Sequence, residues 1–400
     1  PGGPAPERGP VSGPLPATPV QRWFFERLDA SLDRFNQAML LELGEEPDEA
    51  ALGTVLAALT AHHDALRLRA EPGEDGWRLH IAEAEDGPVL TRTDLGRLPA
   101  GRREKAVVEA AARAQEGFSL AGGPLLRAHL LTGPGTPARL LLAAHHLVVD
   151  AVSWRILLED LETGYAQARS GRPVALPART ATFQEWARRL RDHTASGGFA
   201  DEVAYWKAVE SARVRARPLP VDLEGANTVA TERSVTVRLG PEETEALLRQ
   251  APAAYRTRVN DLLLSAVWRA VADATGQDAV PVALEGHGRG DLFPELDLSR
   301  TVGWFTTLHP VVLSADRGAG WGTVLKTVKE QLRAAPAHGL GHGALRWLSG
   351  PDGPWPTPGS PRSASTTWGA STPATPPAAW SVPGSTSRAG SAPPGRSGPT

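Results

Sequence analysis

Apolar residues recur at helical spacing in three stretches of the chain. Leu52, Val55, Leu56 and Leu59 fall at i, i+3, i+4 and i+7, the stripe of an amphipathic helix. Trp154, Leu157, Leu158, Leu161 and Tyr165 repeat that spacing, as do Leu262, Leu263, Ala266, Val267 and Ala270. Shorter apolar or alternating runs predict strands at 38–43 (AMLLEL), 125–131 (LLRAHLL), 138–144 (ARLLLAA), 233–239 (RSVTVRL), 280–284 (VPVAL) and 308–313 (LHPVVL). Helices and strands interleave without an internal repeat, which predicts an α/β or α+β fold. The polar, Pro-containing stretch 169–180 (RSGRPVALPART) predicts a crossover between two lobes.

The two ends depart from this pattern. Residues 1–14 (PGGPAPERGPVSGP) are rich in Pro and Gly and read as an interdomain linker. With no initiator Met before them, they predict a piece of a longer polypeptide. Residues 353–400 contain no Asp, Glu, Lys, Leu or Ile, a composition that predicts disorder because it cannot fill a core. Three tryptophans, Trp355, Trp368 and Trp380, nevertheless stand in that region.

Composition narrows the function classes. The chain has 400 residues, 41% of them hydrophobic, enough for one large two-lobed domain. Lys and Arg number 42 against 45 Asp and Glu, for a net charge of −3, so no strong field draws nucleic acid or an anionic membrane. There is no cysteine, which excludes disulfides, zinc–thiolate sites and a thiol nucleophile. No apolar run reaches the roughly 18 residues of a membrane span, and the N-terminal residues lack a signal-peptide pattern; the expected location is cytoplasmic.

The segment most specific in chemistry is AAHHLVVDAVSWRILLEDLETGY, residues 143–165. A strand ends at two adjacent histidines, an Asp follows, and an amphipathic helix begins. Neighbouring side chains of an extended segment point to opposite faces, so one of His145 and His146 packs inward when the other faces a cleft. An imidazole at a strand end, with an unperturbed pKa of about 6.5, suits proton transfer at neutral pH. Asp150 suits holding the turn. Farther on, Leu284 closes a strand and Glu285 opens a Gly-flanked turn, EGHGRG, where Gly286 and Gly288 let the backbone bend. His287, His309, His338 and His342 fit no metal-ligand spacing, and no metal site is predicted.

These segments resemble the condensation and epimerisation domains of nonribosomal peptide synthetases, which are related in fold to chloramphenicol acetyltransferase. HHLVVDAVSW (145–154) is similar to their shared His motif, with Ala151 where the family usually has Gly. PVQRWFFE (19–26) resembles the epimerisation opening motif. HHDALRLR (62–69) resembles the segment whose Arg pairs with the motif Asp, which implies an Arg67–Asp150 pair. VNDLLLSAV (259–267) resembles a motif opening a second-lobe helix, with Asn260 or Asp261 as its N-cap. EGHGR (285–289) and RTVGWFTTLHP (300–310) resemble the epimerisation forms, and PAHGLGHGALRWL (336–348) the next motif, with His342 where Tyr is usual.

The resemblance implies two chloramphenicol-acetyltransferase-like lobes in a V shape with a channel between them. An N-terminal lobe would span 15–175 and a C-terminal lobe 176–354, between the linker and a 355–400 tail. It implies epimerisation of the Cα of an aminoacyl or peptidyl thioester, carried on the phosphopantetheine of a peptidyl carrier protein lying just upstream. No cofactor is bound by the domain itself. His146 and Glu285 would be the acid/base pair on either side of the channel. His145, Asp150, Arg67 and Ser153 would support them; Trp154 would pack in the core, and Trp304 and Phe305 would line the channel or pack in the core. The alternatives are a condensation domain forming a peptide bond and a catalytically impaired carrier-docking domain.

The family pattern calls for one more motif, Phe-Asn-Tyr-Leu-Gly, which this chain lacks. Residues 362–370 read RSASTTWGA; GC-rich codons for them, taken in the neighbouring frame, give Glu-Val-Ser-Phe-Asn-Tyr-Leu-Gly-Arg. The expectation is a frameshift after about Pro354, leaving a polypeptide that is aggregation-prone and weakly active. DNA sequenced through this region should show the displaced frame; an unbroken frame matched by peptide masses would defeat the idea.

Overall fold

The structure, a computed structural model, describes residues 11–28, 32–44, 46–74, 76–84, 90–135, 137–217, 219–220, 225, 231, 233–350, 353–355, 369–370 and 385–388. They divide into two compact units. The first holds the chain through Ser196 and takes back Arg289–Thr306 and Pro373–Gly395; the second holds Gly197–Gly288, Thr307–Thr372 and Arg396–Thr400.

The first unit contains β1 (Gly13–Leu15), α1 (Pro19–Arg27), β2 (Asn36–Leu43), α2 (Glu49–His62), β3 (Leu68–Gly73), β4 (Gly76–Ile81), β5 (Leu90–Asp94), α3 (Ala100–Glu116), β6 (Leu126–Thr132), β7 (Ala138–His145), α4 (Ala151–Arg169) and α5 (Phe183–Ala195). Its main sheet runs β2-β7-β6-β5, antiparallel except for the parallel β6–β5 pair. β7 is buried from Leu140 to His145, which is why it reads as a continuous apolar run rather than an alternating one. The predicted stripe Leu52, Val55, Leu56 and Leu59 is buried throughout, and α2 packs on α4. At the crossing a Cβ on Gly164 would lie 2.3 Å from Val55 Cγ2, so glycine alone permits this approach. A small sheet, β1-β4-β3, stands beside this core; its short strands, like β5, carry too few apolar residues to announce themselves.

The first unit ends later than the crossover at 169–180 predicts. Those residues are largely irregular, but α5 follows them and stays with the first unit. Thr182 caps α5 by accepting from the Glu185 N–H at 3.0 Å. The buried Asp64 carboxylate accepts from the N–H groups of Phe183 (3.4 Å) and Gln184 (3.2 Å), and Phe183, Trp186 and Leu190 are buried. Pro and Gly marked a change of direction, not a domain boundary.

Helix α4 begins at Asp150, whose Oδ1 accepts from the Ser153 N–H at 2.7 Å. The expected pairing of Asp150 with Arg67 does not occur. Arg289, on the segment that returns to the first unit, places Nη2 3.0 and 3.1 Å from the two Asp150 oxygens. Arg67 is fully buried elsewhere in this unit. It donates to the carbonyls of Val11 (2.9 Å), Thr60 (3.2 Å) and Ala82, with Asp64 as its nearby opposite charge. A guanidinium has five donors and no acceptor, and these carbonyls, where three segments end, take what Arg67 offers.

His145 closes β7 with no exposure. Its Nε2 lies 2.8 Å from Leu32 O and its Nδ1 accepts from the Leu147 N–H at 3.1 Å. Burial lowers its pKa to about 4, against the pull of the Leu32 carbonyl and Asp33.

The second unit contains α6 (Val203–Arg215), α7 (Pro241–Glu245), α8 (Ala251–Tyr255), α9 (Val259–Thr275), β8 (Ala279–Gly286), β9 (Thr307–Ser314), α10 (Trp321–Arg333) and α11 (Leu340–Trp347). Strands β8 and β9 pair antiparallel, with Leu284 opposite His309 and Glu285 opposite Leu308. Leu264, Trp268, Ala272, Val280, Val282, Val311, Leu313, Val324 and Val328 form the core. The face predicted for α9 is displaced: Leu263 is 40% exposed, and the helix turns instead to bury Trp268, whose indole N–H reaches Asp278 O at 2.9 Å. Its N-cap is Arg258, and Asp261 at N3 accepts from the Arg258 N–H at 2.8 Å. The predicted strand 233–239 is unpaired, with Val235 93% and Val237 85% exposed. Alternation there meets no partner strand among the described residues.

Of the tail, residues 369–370 form a short strand β10 parallel to β8, and 385–388 form β11 antiparallel to β2. Both add to an otherwise open edge. The shifted-frame motif itself aligns with residues 365–369, of which 365–368 lie outside the described residues.

Two measurements check this account. Replacing Arg289 with Met strands a buried carboxylate and should cost about 3–5 kcal/mol in urea unfolding, whereas pairing through Arg67 would leave that variant near wild type. His145 bears on acid stability. Between its ordinary 6.5 and about 4 the unfolded chain takes up a proton that the folded chain refuses, so stability falls as pH drops through that window. From pH 7 to pH 5 this group should account for a loss of about 2 kcal/mol, and the slope should flatten in H145Q.

Candidate functional site

The register of β2 against β7 builds the site. Asn36 is paired with His145, and one step outward the His146 N–H donates to Phe35 O at 2.8 Å. Directly opposed side chains of an antiparallel pair share a face, and the face repeats every second residue. Phe35 and Gln37 therefore stand on the His146 face, and Asn36 on the His145 face. The Phe35 and His146 rings stack at 5.1 Å and 9°. The Gln37 side chain reaches diagonally, its Nε2 lying 3.0 Å from His146 Nε2.

On its other side His146 Nδ1 lies 2.9 Å from Val149 O. A carbonyl only accepts, so Nδ1 bears the proton and Nε2 a lone pair. Gln37 Oε1 accepts from the Trp154 indole N–H at 2.8 Å. Trp304 completes the surroundings, its ring 4.7 Å from that of His146. It is 3% exposed, and its indole N–H has no hydrogen-bond partner among the described residues. His146 itself is half-buried, whereas His145 is sealed. Of the two adjacent imidazoles, only His146 keeps a reactive nitrogen near solvent.

Asp150 and Ser153 hold this arrangement from below. The Ser153 hydroxyl lies 2.8 Å from Asp150 Oδ1 and 2.9 Å from Gly303 O, and accepts from the Gly303 N–H at 3.0 Å. Asp150 Oδ2 accepts from the Phe305 N–H at 3.2 Å. These bonds set the 302–305 strip, and with it Trp304, against the His146 turn. A Cβ on Gly303 would lie 2.3 Å from the Phe183 ring, so this strip also requires glycine. Arg289 caps the network, its guanidinium 4.0 Å over the Phe305 ring.

Glu285 belongs to the second unit. It is exposed near the end of β8. By alternation it stands on the opposite face of the strand from the core residues Val280 and Val282. In the same unit His342 meets Glu210 at 3.2 Å. Burial alone would raise the Glu210 pKa, but hydrogen bonds from His342 and Arg213 overcome it and hold the carboxyl at about 2.

The predicted residues thus fall into three places: His146, His145, Asp150, Ser153 and Trp304 come together, Arg67 lies elsewhere in the first unit, and Glu285 lies in the second. His62, His63 and Asp160 also converge, but Asp160 is already shared between His63 at 2.9 Å and Arg300. Sequence reasoning missed Phe35, Gln37 and Arg289. Extending the predicted strand 38–43 back by its own alternation would have raised the first two. Arg289 stood in the EGHGR segment, eclipsed by its glutamate.

A family model described as "Condensation domain" matches residues 11–352. The chain is 43% identical over 348 residues to one of the linear gramicidin synthase proteins of Brevibacillus parabrevis, covering 86% of this chain and 4% of that protein. It is 39% identical over 347 residues to surfactin synthase subunit 1 of Bacillus subtilis, covering 86% of this chain and 10% of that protein. The chain spans a small fraction of these relatives. Among solved structures, the epimerization domain from the third module of tyrocidine synthetase B aligns with a TM-score of 0.80 at 34% identity, over 87% of this chain and 77% of that one. The first condensation domain of the calcium-dependent antibiotic synthetase shares the fold, with a TM-score of 0.64 at 22% identity, over 82% of this chain and 75% of that one. The chain belongs to the condensation-domain family, in the branch of the fold found in nonribosomal peptide synthetases.

Proposed function

We propose that this domain is an epimerase that inverts the Cα of an aminoacyl or peptidyl thioester. The thioester is carried on the phosphopantetheine of a peptidyl carrier protein, within a cytoplasmic assembly line, and the domain binds no cofactor of its own. Inversion removes the α-proton and returns a proton to the opposite face. The thioester carbonyl makes this feasible by spreading the charge of the carbanion onto oxygen as an enolate. The reaction then needs two groups able to exchange protons with Cα. His146 serves as one through Nε2, and Glu285 as the other.

The observation that carries this reading is the state of His146: half-buried, its Nδ1–H committed to Val149 O and its Nε2 lone pair engaged only by the neutral Gln37 amide, which an incoming proton displaces. The exposed carboxylate of Glu285 supports epimerisation in particular. So does the higher likeness to the tyrocidine synthetase epimerization domain than to the condensation domain compared above. The second reading, peptide-bond formation, draws on the description of the matching family model; it needs His146 but not Glu285.

Carrier-bound L-aminoacyl thioester in deuterated buffer should gain deuterium at Cα in the presence of the chain. H146A and E285Q should each slow that uptake by about 10²–10⁴. Uptake by E285Q at near the wild-type rate would remove Glu285 from the chemistry. Amide product from two carrier-bound substrates, without exchange, would establish condensation instead.

A further inference from the structure

We infer that Gln37 and Trp154 are positioning residues that fix the tautomer of His146, keeping the proton on Nδ1 and the lone pair on Nε2. The inference rests on His146 being the group that exchanges protons with substrate, and it adds the parts that keep its basic nitrogen the right one.

The chain of reasoning is one of donors and acceptors. An indole N–H can only donate, so the Gln37 atom 2.8 Å from Trp154 Nε1 is the amide oxygen. The amide NH₂ must then face His146, 3.0 Å from Nε2. An NH₂ group only donates, so Nε2 must accept. On the far side of the ring Val149 O can only accept, at 2.9 Å from Nδ1. Two constraints that share no atom demand the same tautomer. A free glutamine would not impose it, because a flipped amide would offer its oxygen to Nε2 and call the proton there. Trp154 forbids the flip, since the NH₂ would then confront an indole N–H.

The three side chains come from separate elements: Gln37 from β2, His146 from the turn after β7, Trp154 from the first turn of α4. The β2–β7 register places the first two, and the Asp150 cap places the third. Gln37 is only half-buried, so the sheet does not need it as a filler. Trp154 is 7% exposed, and packing alone would be met as well by Phe.

The test is spectroscopic first and kinetic second. The full chain is labelled with ¹⁵N in histidine, and long-range ¹H–¹⁵N correlations are recorded at a pH where imidazoles are neutral. The His146 ring is assigned by its absence from the H146A spectrum. The wild type should show a protonated Nδ1 and an unprotonated Nε2. W154F keeps the packing and frees the amide, and Q37M keeps the length and removes the amide; both should give mixed tautomers. Q37E, which sets an acceptor against Nε2, should move the proton onto that nitrogen. Solvent deuterium uptake at Cα should fall about tenfold in kcat, with KM unchanged, in all three. The remaining histidine signals report that each variant is folded. Retention of the wild-type His146 pattern in W154F and Q37M would overturn the inference, as would a changed tautomer with unchanged kcat. A wild-type chain that shows the expected tautomer but no uptake would count against the proposed reaction and leave the tautomer series as the deciding measurement.

Discussion

The carboxylate of Asp150 is the joint on which the candidate site turns. It caps α4 through the Ser153 N–H, receives the Phe305 N–H, and is gripped at both oxygens by Arg289. A buried carboxylate with so many donors is held in one position, and what hangs from it is held too: the first turn of α4 with Trp154, and the 302–305 strip with Trp304. The His146 ring is framed by Trp304 and by Phe35 and Gln37, and Trp154 holds the Gln37 amide. Its geometry is therefore set through the buried Asp150 network, which fixes the ring without placing a charge against it.

The two adjacent histidines show how one sequence step separates structure from chemistry. His145 faces the interior, bonds two backbone groups and is held neutral by burial. His146 faces the opposite side, stacks on Phe35, gives its Nδ1 proton to Val149 O and stays half-buried. Strand alternation alone forces this division.

Much of this was legible in advance. The α2 stripe, the strands around β6, β7, β8 and β9, and the role of Asp150 in holding a turn all follow from periodicity and residue chemistry. What escaped has physical causes. Arg67 and Arg289 are both arginines in family-like segments, and nothing local says which one reaches Asp150; the answer lies in chain topology, 139 residues away. The α9 face was misplaced because Trp268 outweighs Leu263 in buried area, so the helix rotates to favour the larger side chain. Segment 233–239 alternates like a strand, but alternation describes a face, and a strand exists only where a neighbour takes up its backbone groups.

The return of Arg289–Thr306 to the first unit makes that unit discontinuous in the chain. Asp150 and Asp160 receive their arginines, Arg289 and Arg300, from a segment synthesised after most of the second unit. A nascent chain leaving the ribosome must hold both acids without their arginines until that segment emerges, Asp160 having His63 as its partner until then. Any recombination that swaps residues up to Ser196 alone would transplant the acids without their arginines. Module shuffling, by nature or by design, should respect this by carrying Arg289–Thr306 along with the acids it neutralises.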